Sequence, residues 1–281
     1  MPRGLNRFVS LRGEGMPLYR NNMHQGGWFS FNAKKEDWKS HYAKKMYNTY
    51  FNSSFVKEQY GRPIITDELL ITNNINYSGI NDKSVLVIGG GPSCEILTSE
   101  IINSYDYVFS CNHFYKNELL NKHNIHVALL GDEVDLKDKK LLEYIQKNKT
   151  IIGFEHSSKR RAMDLLSFKK QHIQSFIYLT RYFSRLGYVA RACVLAKLMG
   201  ADNIDFVGLD GFKTNSHYFE STKGAPPFNN EKKFCDQMEV FYRYMLNDLR
   251  TEPERFNNLS DQHKDSIYGG ILEAIKNETN K

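Results

Sequence analysis

Short apolar runs recur along the chain from about residue 82 onwards. They cover residues 85–88, 107–110, 127–130, 151–154, 176–179 and 204–207. Runs without polar alternation are typical of strands that are buried on both faces of a parallel sheet. Helical patterns separate several of them, at residues 93–103, 137–147 and 189–199. The alternation predicts βαβ crossovers and an α/β fold with a Rossmann-like, doubly wound, mostly parallel sheet.

A last helix is predicted over residues 231–249, because apolar side chains recur there every three or four residues. These side chains are Phe234, Met238, Phe241, Met245 and Leu249.

The first 82 residues have a different character, and the sequence predicts two parts: an N-terminal extension over 1–82 and a main domain over 83–281. Ten of the 33 residues from Trp28 to Tyr60 are aromatic. A helix is predicted over 36–60, with lysines among its rings. Such a helix either packs its rings on the main domain, which we favour, or contacts phosphate, a membrane surface or nucleic acid.

Composition narrows the class of protein. The 281 residues carry 38 Lys and Arg against 32 Asp and Glu, and this net charge of +6 is too small by itself to indicate nucleic-acid binding. The chain has no apolar run of about 18 residues and begins with a polar stretch, so neither a membrane span nor a secretory signal is predicted. The four cysteines form no CxxC pair. We therefore expect a cytoplasmic protein without a cysteine metal site.

The strongest local signal is a glycine loop directly after the first predicted strand of the main domain. It consists of Gly89, Gly90, Gly91, Pro92 and Ser93. Glycines permit close backbone approach, Pro92 suits the start of a helix, and Ser93 is a candidate cap or ligand hydroxyl. The loop lacks the Lys-Ser/Thr of a phosphate-binding Walker loop and the third glycine of a dinucleotide fingerprint. It predicts nucleotide binding at a helix N-terminus, and the alternative is a tight turn without a ligand.

Polar residues also follow the later strands. Asn112 is a candidate reader of a sugar or base, or else a cap of its turn. Asp132 and Glu133 are a weak candidate pair for Mg²⁺ or ribose. Gly208 and Asp210 close the last predicted strand, and ligands of doubly wound sheets collect at such strand ends.

A second candidate region precedes the helix at 189–199. Arg185 lies immediately before the start of that helix and suits an anion. Among the nine histidines, His217 follows Asp210 in a polar loop and is the candidate general base, with His113 next. The other histidines are interpreted as surface or structural residues.

These motifs together resemble the small bacterial sialyltransferases that use CMP-sialic acid. A related likeness is to the motility accessory factor and 6-hydroxymethylpterin diphosphokinase-like family. The first likeness covers roughly residues 84–218 and rests on Gly90 to Ser93, on Cys111 to Tyr115, on Arg185 with the small-residue helix, and on Gly208 to Asp210.

The sialyltransferase resemblance implies an inverting glycosyl transfer that requires no metal or other cofactor. By that likeness residues 83–281 form a nucleotide-binding catalytic domain in which the loop from Gly89 to Ser93 contacts CMP and Asn112 contacts the donor. Arg185 is then the essential arginine, and Gly187 and Tyr188 stand where the family has a Thr-Ser pair near the nucleotide. His217 is then the base on the acceptor hydroxyl, and Tyr218 supports the departing phosphate. The implied partners are a nucleotide-sugar donor and a glycan or protein acceptor. Peripheral membrane contact and a homo-oligomer remain open, and no nucleic-acid partner is expected.

Two other functions remain open. A pterin-type diphosphokinase would need Mg²⁺ with ATP, and Asp132, Glu133 and Asp210 would become candidate ligands. A non-catalytic nucleotide-sugar-binding module would use the N-terminal segment as its partner surface.

Overall fold

The computed structural model describes residues 64–65, 69–71, 78–131, 133–155, 167–168, 170–180, 182, 186–210, 231–261, 263 and 270–279. The predicted helix over 36–60 lies outside these residues.

Nine strands form one sheet within the described residues. They are β1 (Ile64–Ile65), β2 (Leu69–Ile71), β3 (Ser84–Ile88), β4 (Tyr107–Cys111), β5 (Val127–Leu129), β6 (Ile151–Glu155), β7 (Ser175–Thr180), β8 (Asn203–Val207) and β9 (Phe256–Asn258). Their order is β1-β2-β7-β6-β5-β4-β3-β8-β9. The seven strands from β7 to β9 in this order are all parallel. This confirms the predicted α/β, Rossmann-like sheet.

The helices are α1 (Ser99–Asn103), α2 (Lys139–Asn148), α3 (Tyr188–Leu198), α4 (Glu231–Arg243) and α5 (Ile271–Thr279). Short 3₁₀ helices occupy Ser78–Ile80, Pro92–Ile96, Phe114–Lys116, Leu120–Lys122 and Pro253–Arg255, and a π-helical turn covers Tyr244–Asp248.

The apolar runs supply both faces of the sheet, because alternate side chains of a strand point in opposite directions. In β3, Val85 and Val87 join one buried cluster with α3, α4 and α5, whereas Leu86 and Ile88 join a second cluster with α1 and α2. Helices therefore cover both faces, which explains why these strands lack polar alternation.

The order of the strands reverses between β3 and β8. From β3 the chain winds outwards through β4, β5, β6 and β7, and α3 then carries it back to β8 on the other side of β3. Ile88 at the end of β3 pairs with Val207 at the end of β8. Loops after two such strands leave in opposite directions, so this point is where ligands of doubly wound sheets bind.

Two predicted helices differ from the structure. The helix over 93–103 is interrupted, because a 3₁₀ helix ends at Ile96 and α1 begins at Ser99. Thr98 is the N-cap of α1, and its hydroxyl accepts a hydrogen bond from the Ile101 N–H at 3.3 Å. The helix over 231–249 changes to a π-helical turn after Arg243.

The sheet begins before residue 82. Strands β1 and β2 lie within the segment predicted as an extension, and β2 pairs antiparallel with β7 at the edge of the sheet. Ile80, also in that segment, is buried in the core. Within the described residues, no helix combines the length and apolar character that crossing a bilayer requires.

Candidate functional site

The glycine loop lies against the loop that follows β8. The Gly89 N–H donates to the Val207 carbonyl at 2.8 Å, and the Gly91 N–H donates to the Gly208 carbonyl at 2.9 Å. A Cβ atom on Gly89 would lie 2.5 Å from the Gly208 oxygen, and one on Gly91 would lie 2.7 Å from it. Gly208 itself has φ +81° and would place a Cβ 2.6 Å from the Cys94 sulfur. The close packing of the two loops is therefore sufficient to explain why these positions are glycines, whether or not a ligand binds there.

Asp210 caps the short 3₁₀ helix that follows the glycine loop. Pro92 is its first residue, as predicted, and Gly91 is its N-cap. The Ser93 N–H donates to Asp210 Oδ2 at 2.8 Å, across 117 residues of sequence. Ser93 is therefore not the cap, because a carboxylate from another strand satisfies the start of this helix. That carboxylate occupies the helix start where the sequence predicts a phosphate.

The Ser93 side chain joins three strand ends. Its hydroxyl lies 2.7 Å from the Ser260 hydroxyl, after β9, and both hydroxyls accept from the Gly208 N–H at 3.0 and 3.1 Å. Both serines are fully buried. The Ser93 hydroxyl is thus engaged within the protein. We call residues 89–93, 187–189, 208–210 and 260 the switch-point junction.

One acceptor in this junction receives no hydrogen bond from the part of the chain that the structure describes. Asp210 is 3% exposed, and its Oδ1 atom is buried without a hydrogen bond from any described residue. Burial, and then the Asp210 charge, raise the pKa of the neighbouring Cys94 thiol well above its usual range. Cys94 therefore stays protonated, and its Sγ donates to the Gly89 carbonyl at 3.1 Å.

The N-terminus of α3 reaches the same place. A Cβ atom on Gly89 would overlap the Val189 side chain, so the first turn of α3 lies beside the glycine loop. Gly187 is the N-cap with φ +84° and, as a glycine, has no side chain that could cap the helix; the first turn holds no acidic residue. No described residue other than its chain neighbours lies within 4 Å of a Cβ placed on Gly187. An eleven-residue helix that begins this way presents N–H groups and a positive dipole to an anion.

A buried ion pair supports this end of α3. Arg191 Nη1 donates to Glu155 Oε2 at 2.6 Å, and the guanidinium lies 5.3 Å from the centre of the Tyr188 ring. Burial alone would lower the pKa of Arg191, but Glu155 and nearby tyrosines raise it above its usual value, so Arg191 stays protonated and charged. Sequence reasoning missed this pair. Its signal was Arg191, the one charged residue within the apolar run from Val189 to Ala196.

Asn112 bridges two other strand ends. It has φ +51°, its Oδ1 accepts from the Gly131 N–H at 2.8 Å, and its Nδ2 donates to Glu133 Oε1 at 2.6 Å. Asn112 thus ties the loop after β4 to the loop after β5 rather than capping its own turn. Asp132 lies outside the described residues, so the Asp132–Glu133 pair has no geometry here.

A histidine–carboxylate pair lies near the glycine loop. His263 Nε2 is 2.7 Å from Glu95 Oε1, and Glu95 belongs to the 3₁₀ helix after the loop. His263 follows Ser260 by three residues, so the loop after β9 brings it towards the junction. The sequence grouped His263 with the surface or structural histidines. His113 is buried at the end of β4.

The structure therefore brings together most of the predicted nucleotide contacts. Gly89, Gly91, Ser93, Gly208 and Asp210 touch one another, and Gly187 and Tyr188 adjoin them through Val189. Gly90 and Pro92 lie within the same loop. The catalytic candidates Arg185, His217 and Tyr218 lie outside the described residues. Among the described residues, no three His, Cys, Asp or Glu side chains are grouped as metal ligands would be.

No protein-family model matches the chain, and no curated protein matches it either.

Proposed function

We propose that the protein is a sialyltransferase-like glycosyltransferase. It would transfer a sialic-acid-type sugar from a CMP donor to a hydroxyl of a glycan or protein, with inversion and without a metal. The observation that carries the nucleotide site is the meeting of the glycine loop, the N-terminus of α3 and Asp210 where the sheet reverses. The identities of the base and the sugar rest on the sequence resemblance.

The charges of the junction suggest how the nucleotide is oriented. A phosphate beside the Asp210 carboxylate would meet repulsion, because the carboxylate already takes the N–H at the start of the 3₁₀ helix. The N-terminus of α3 offers the opposite environment, and the phosphate of CMP would therefore lie there. The glycine loop would then approach the ribose rather than cradle the phosphate.

The reaction requires a good leaving group and a base. The bond between the sugar and the CMP phosphate breaks, CMP leaves with the electron pair, and the acceptor oxygen forms the new bond. The acceptor proton passes to a base, for which the resemblance selects His217. By the same resemblance Arg185 is the essential arginine and Tyr218 supports the departing phosphate. Charge that develops on the departing phosphate would be stabilised by the dipole of α3.

An acidic side chain in the first turn of α3 tests this orientation. Tyr188→Glu would place a negative charge beside the phosphate while it favours the helix dipole, and Tyr188→Gln is the neutral control. At about 6 Å, repulsion of about 1–3 kcal/mol weakens CMP binding roughly ten- to hundred-fold relative to the control. Calorimetric titration with CMP in EDTA measures the difference. Equal affinities of the two variants would contradict a phosphate at α3.

A further inference from the structure

Only one of the two oxygens of the Asp210 carboxylate accepts a hydrogen bond from a described residue. Oδ2 accepts from the Ser93 N–H, but Oδ1 is buried and receives no hydrogen bond from any described residue. A buried acceptor without a partner costs about 1–3 kcal/mol, and more when it is charged. Such an atom in a folded protein points to an additional partner such as a ligand, an ion or water.

The polar groups around Asp210 Oδ1, in contrast, are hydrogen-bonded to one another or to the backbone. The Ser93 and Ser260 hydroxyls and the Gly208 N–H bind one another, and the Gly91 N–H has a backbone acceptor. These bonds hold Asp210 in place from three strand ends. Oδ1 is therefore an acceptor in a fixed position, which is what recognition of a ligand donor requires.

The residue that the sequence favours for this role is engaged elsewhere. The Asn112 amide accepts from the Gly131 N–H through its oxygen and donates to Glu133 through its nitrogen. An acidic residue at the second strand end is the usual ribose reader of dinucleotide folds, and Asn112 occupies that place here. The buried acceptor lies instead at the end of β8.

We propose that Asp210 Oδ1 accepts a hydrogen bond from a ribose hydroxyl of the bound nucleotide and so selects ribonucleotides over deoxyribonucleotides. This inference rests on the proposed function. Val189 in the first turn of α3 adjoins Gly89, and Asp210 adjoins Gly91, two residues further along. Two residues span at most about 7 Å, so a phosphate at α3 leaves its directly bonded ribose beside Asp210.

Calorimetric titration of the full chain tests this inference with CMP, 2′-deoxy-CMP, 3′-deoxy-CMP and UMP. The variant is Asp210→Asn, in which the amide oxygen can still accept from the Ser93 N–H while the NH₂ replaces Oδ1. The control is Asp205→Asn on the same strand. Asp205 is also buried, but it is bound to Tyr105 and Asn257, away from the carboxyl edge.

We expect the wild type to bind CMP about ten-fold more tightly than at least one deoxy analogue, which corresponds to about 1.4 kcal/mol. In Asp210→Asn this preference falls to about two-fold or less, whereas Asp205→Asn retains it, because only Asp210 couples to the hydroxyl. The preference of the wild type is a test in itself if the variant does not fold.

The outcomes separate the inference from the proposed function. If CMP binds but the wild type does not distinguish it from either deoxy analogue, the inference is wrong and the function stands. Loss of the CMP-over-UMP preference in Asp210→Asn, with the ribose preference intact, would mean that Oδ1 reads the base amine and would also overturn the inference. If the wild type does not bind CMP at all, the proposed function fails first and the inference fails with it.

Discussion

Replacement of Gly91 by alanine tests whether packing or a ligand requires the glycine loop. Gly91 has φ −75° and ψ 161°, which alanine adopts without strain. The cost of the substitution is therefore steric. A Cβ atom would overlap the Asp210 carboxylate and would lie 2.7 and 2.9 Å from the Gly208 oxygen and carbonyl carbon.

The magnitude follows from two opposing effects. Alanine reduces the entropy of the unfolded chain and alone would stabilise the protein by about 0.4–1 kcal/mol. Overpacking costs about 1–3 kcal/mol, and displacement of Asp210 would weaken its bond to the Ser93 N–H by an additional amount of about 1 kcal/mol. We expect a net loss of about 1–3 kcal/mol, or about 2–4 °C in Tm for each kcal/mol.

Urea unfolding without nucleotide measures this loss, and Gly187→Ala is the matched control. Gly187 has φ +84° and ψ −158°, a region that is essentially confined to glycine, so alanine there meets conformational strain of about 1–3 kcal/mol but no clash with any described residue. A second substitution, Asp210→Ala, removes the carboxylate that the new methyl group overlaps, so the two costs should be less than additive. Unchanged or increased stability of Gly91→Ala would refute the packing explanation.

Two further predictions concern buried charges and thiols. Glu155→Gln leaves Arg191 buried without its carboxylate and should cost about 3–5 kcal/mol in urea unfolding. The control is Glu239→Gln, whose pair with Arg243 is partly exposed and should contribute about 1 kcal/mol or less; equal losses would contradict the buried pair. Burial, followed by the charge of Glu133, raises the pKa of Cys111 from 9.0 to about 12, so the folded state holds a proton that the unfolded state releases, and stability should fall as the pH rises from about 9 to 12. Cys111→Ala should make that fall shallower, and an unchanged slope would contradict the assignment.

The architecture was predictable because strands of about five residues that are buried on both faces show in the sequence as uninterrupted apolar runs. Strand β3 contributes buried side chains to both faces, and the sequence shows this as an uninterrupted run. Strand β9 is Phe256–Asn258, with two asparagines in three residues, and no periodicity distinguishes it from a loop. Its position depends on pairing with β8.

The site was predictable in its residues but not in its connections. The sequence selected Ser93 and Asp210 separately, yet the bond between them spans 117 residues and changes the electrostatics of the helix start. The contact between Ser93 and Ser260 spans 167 residues, so nothing local marked Ser260. Glu95 and His263 are 168 residues apart and escaped notice for the same reason. Local patterns identify strand ends, whereas the tertiary fold decides which of them meet.

Calorimetric titration of the full chain with CMP in EDTA tests the central claim most directly, with ATP and Mg²⁺ as the comparison. A CMP site at the switch-point junction predicts saturable, metal-free binding that is weaker in Tyr188→Glu than in Tyr188→Gln. Ligand binding should also raise the Tm as the CMP concentration increases. Failure to bind CMP, together with binding of ATP only in the presence of Mg²⁺, would contradict the sialyltransferase-like proposal and favour the diphosphokinase.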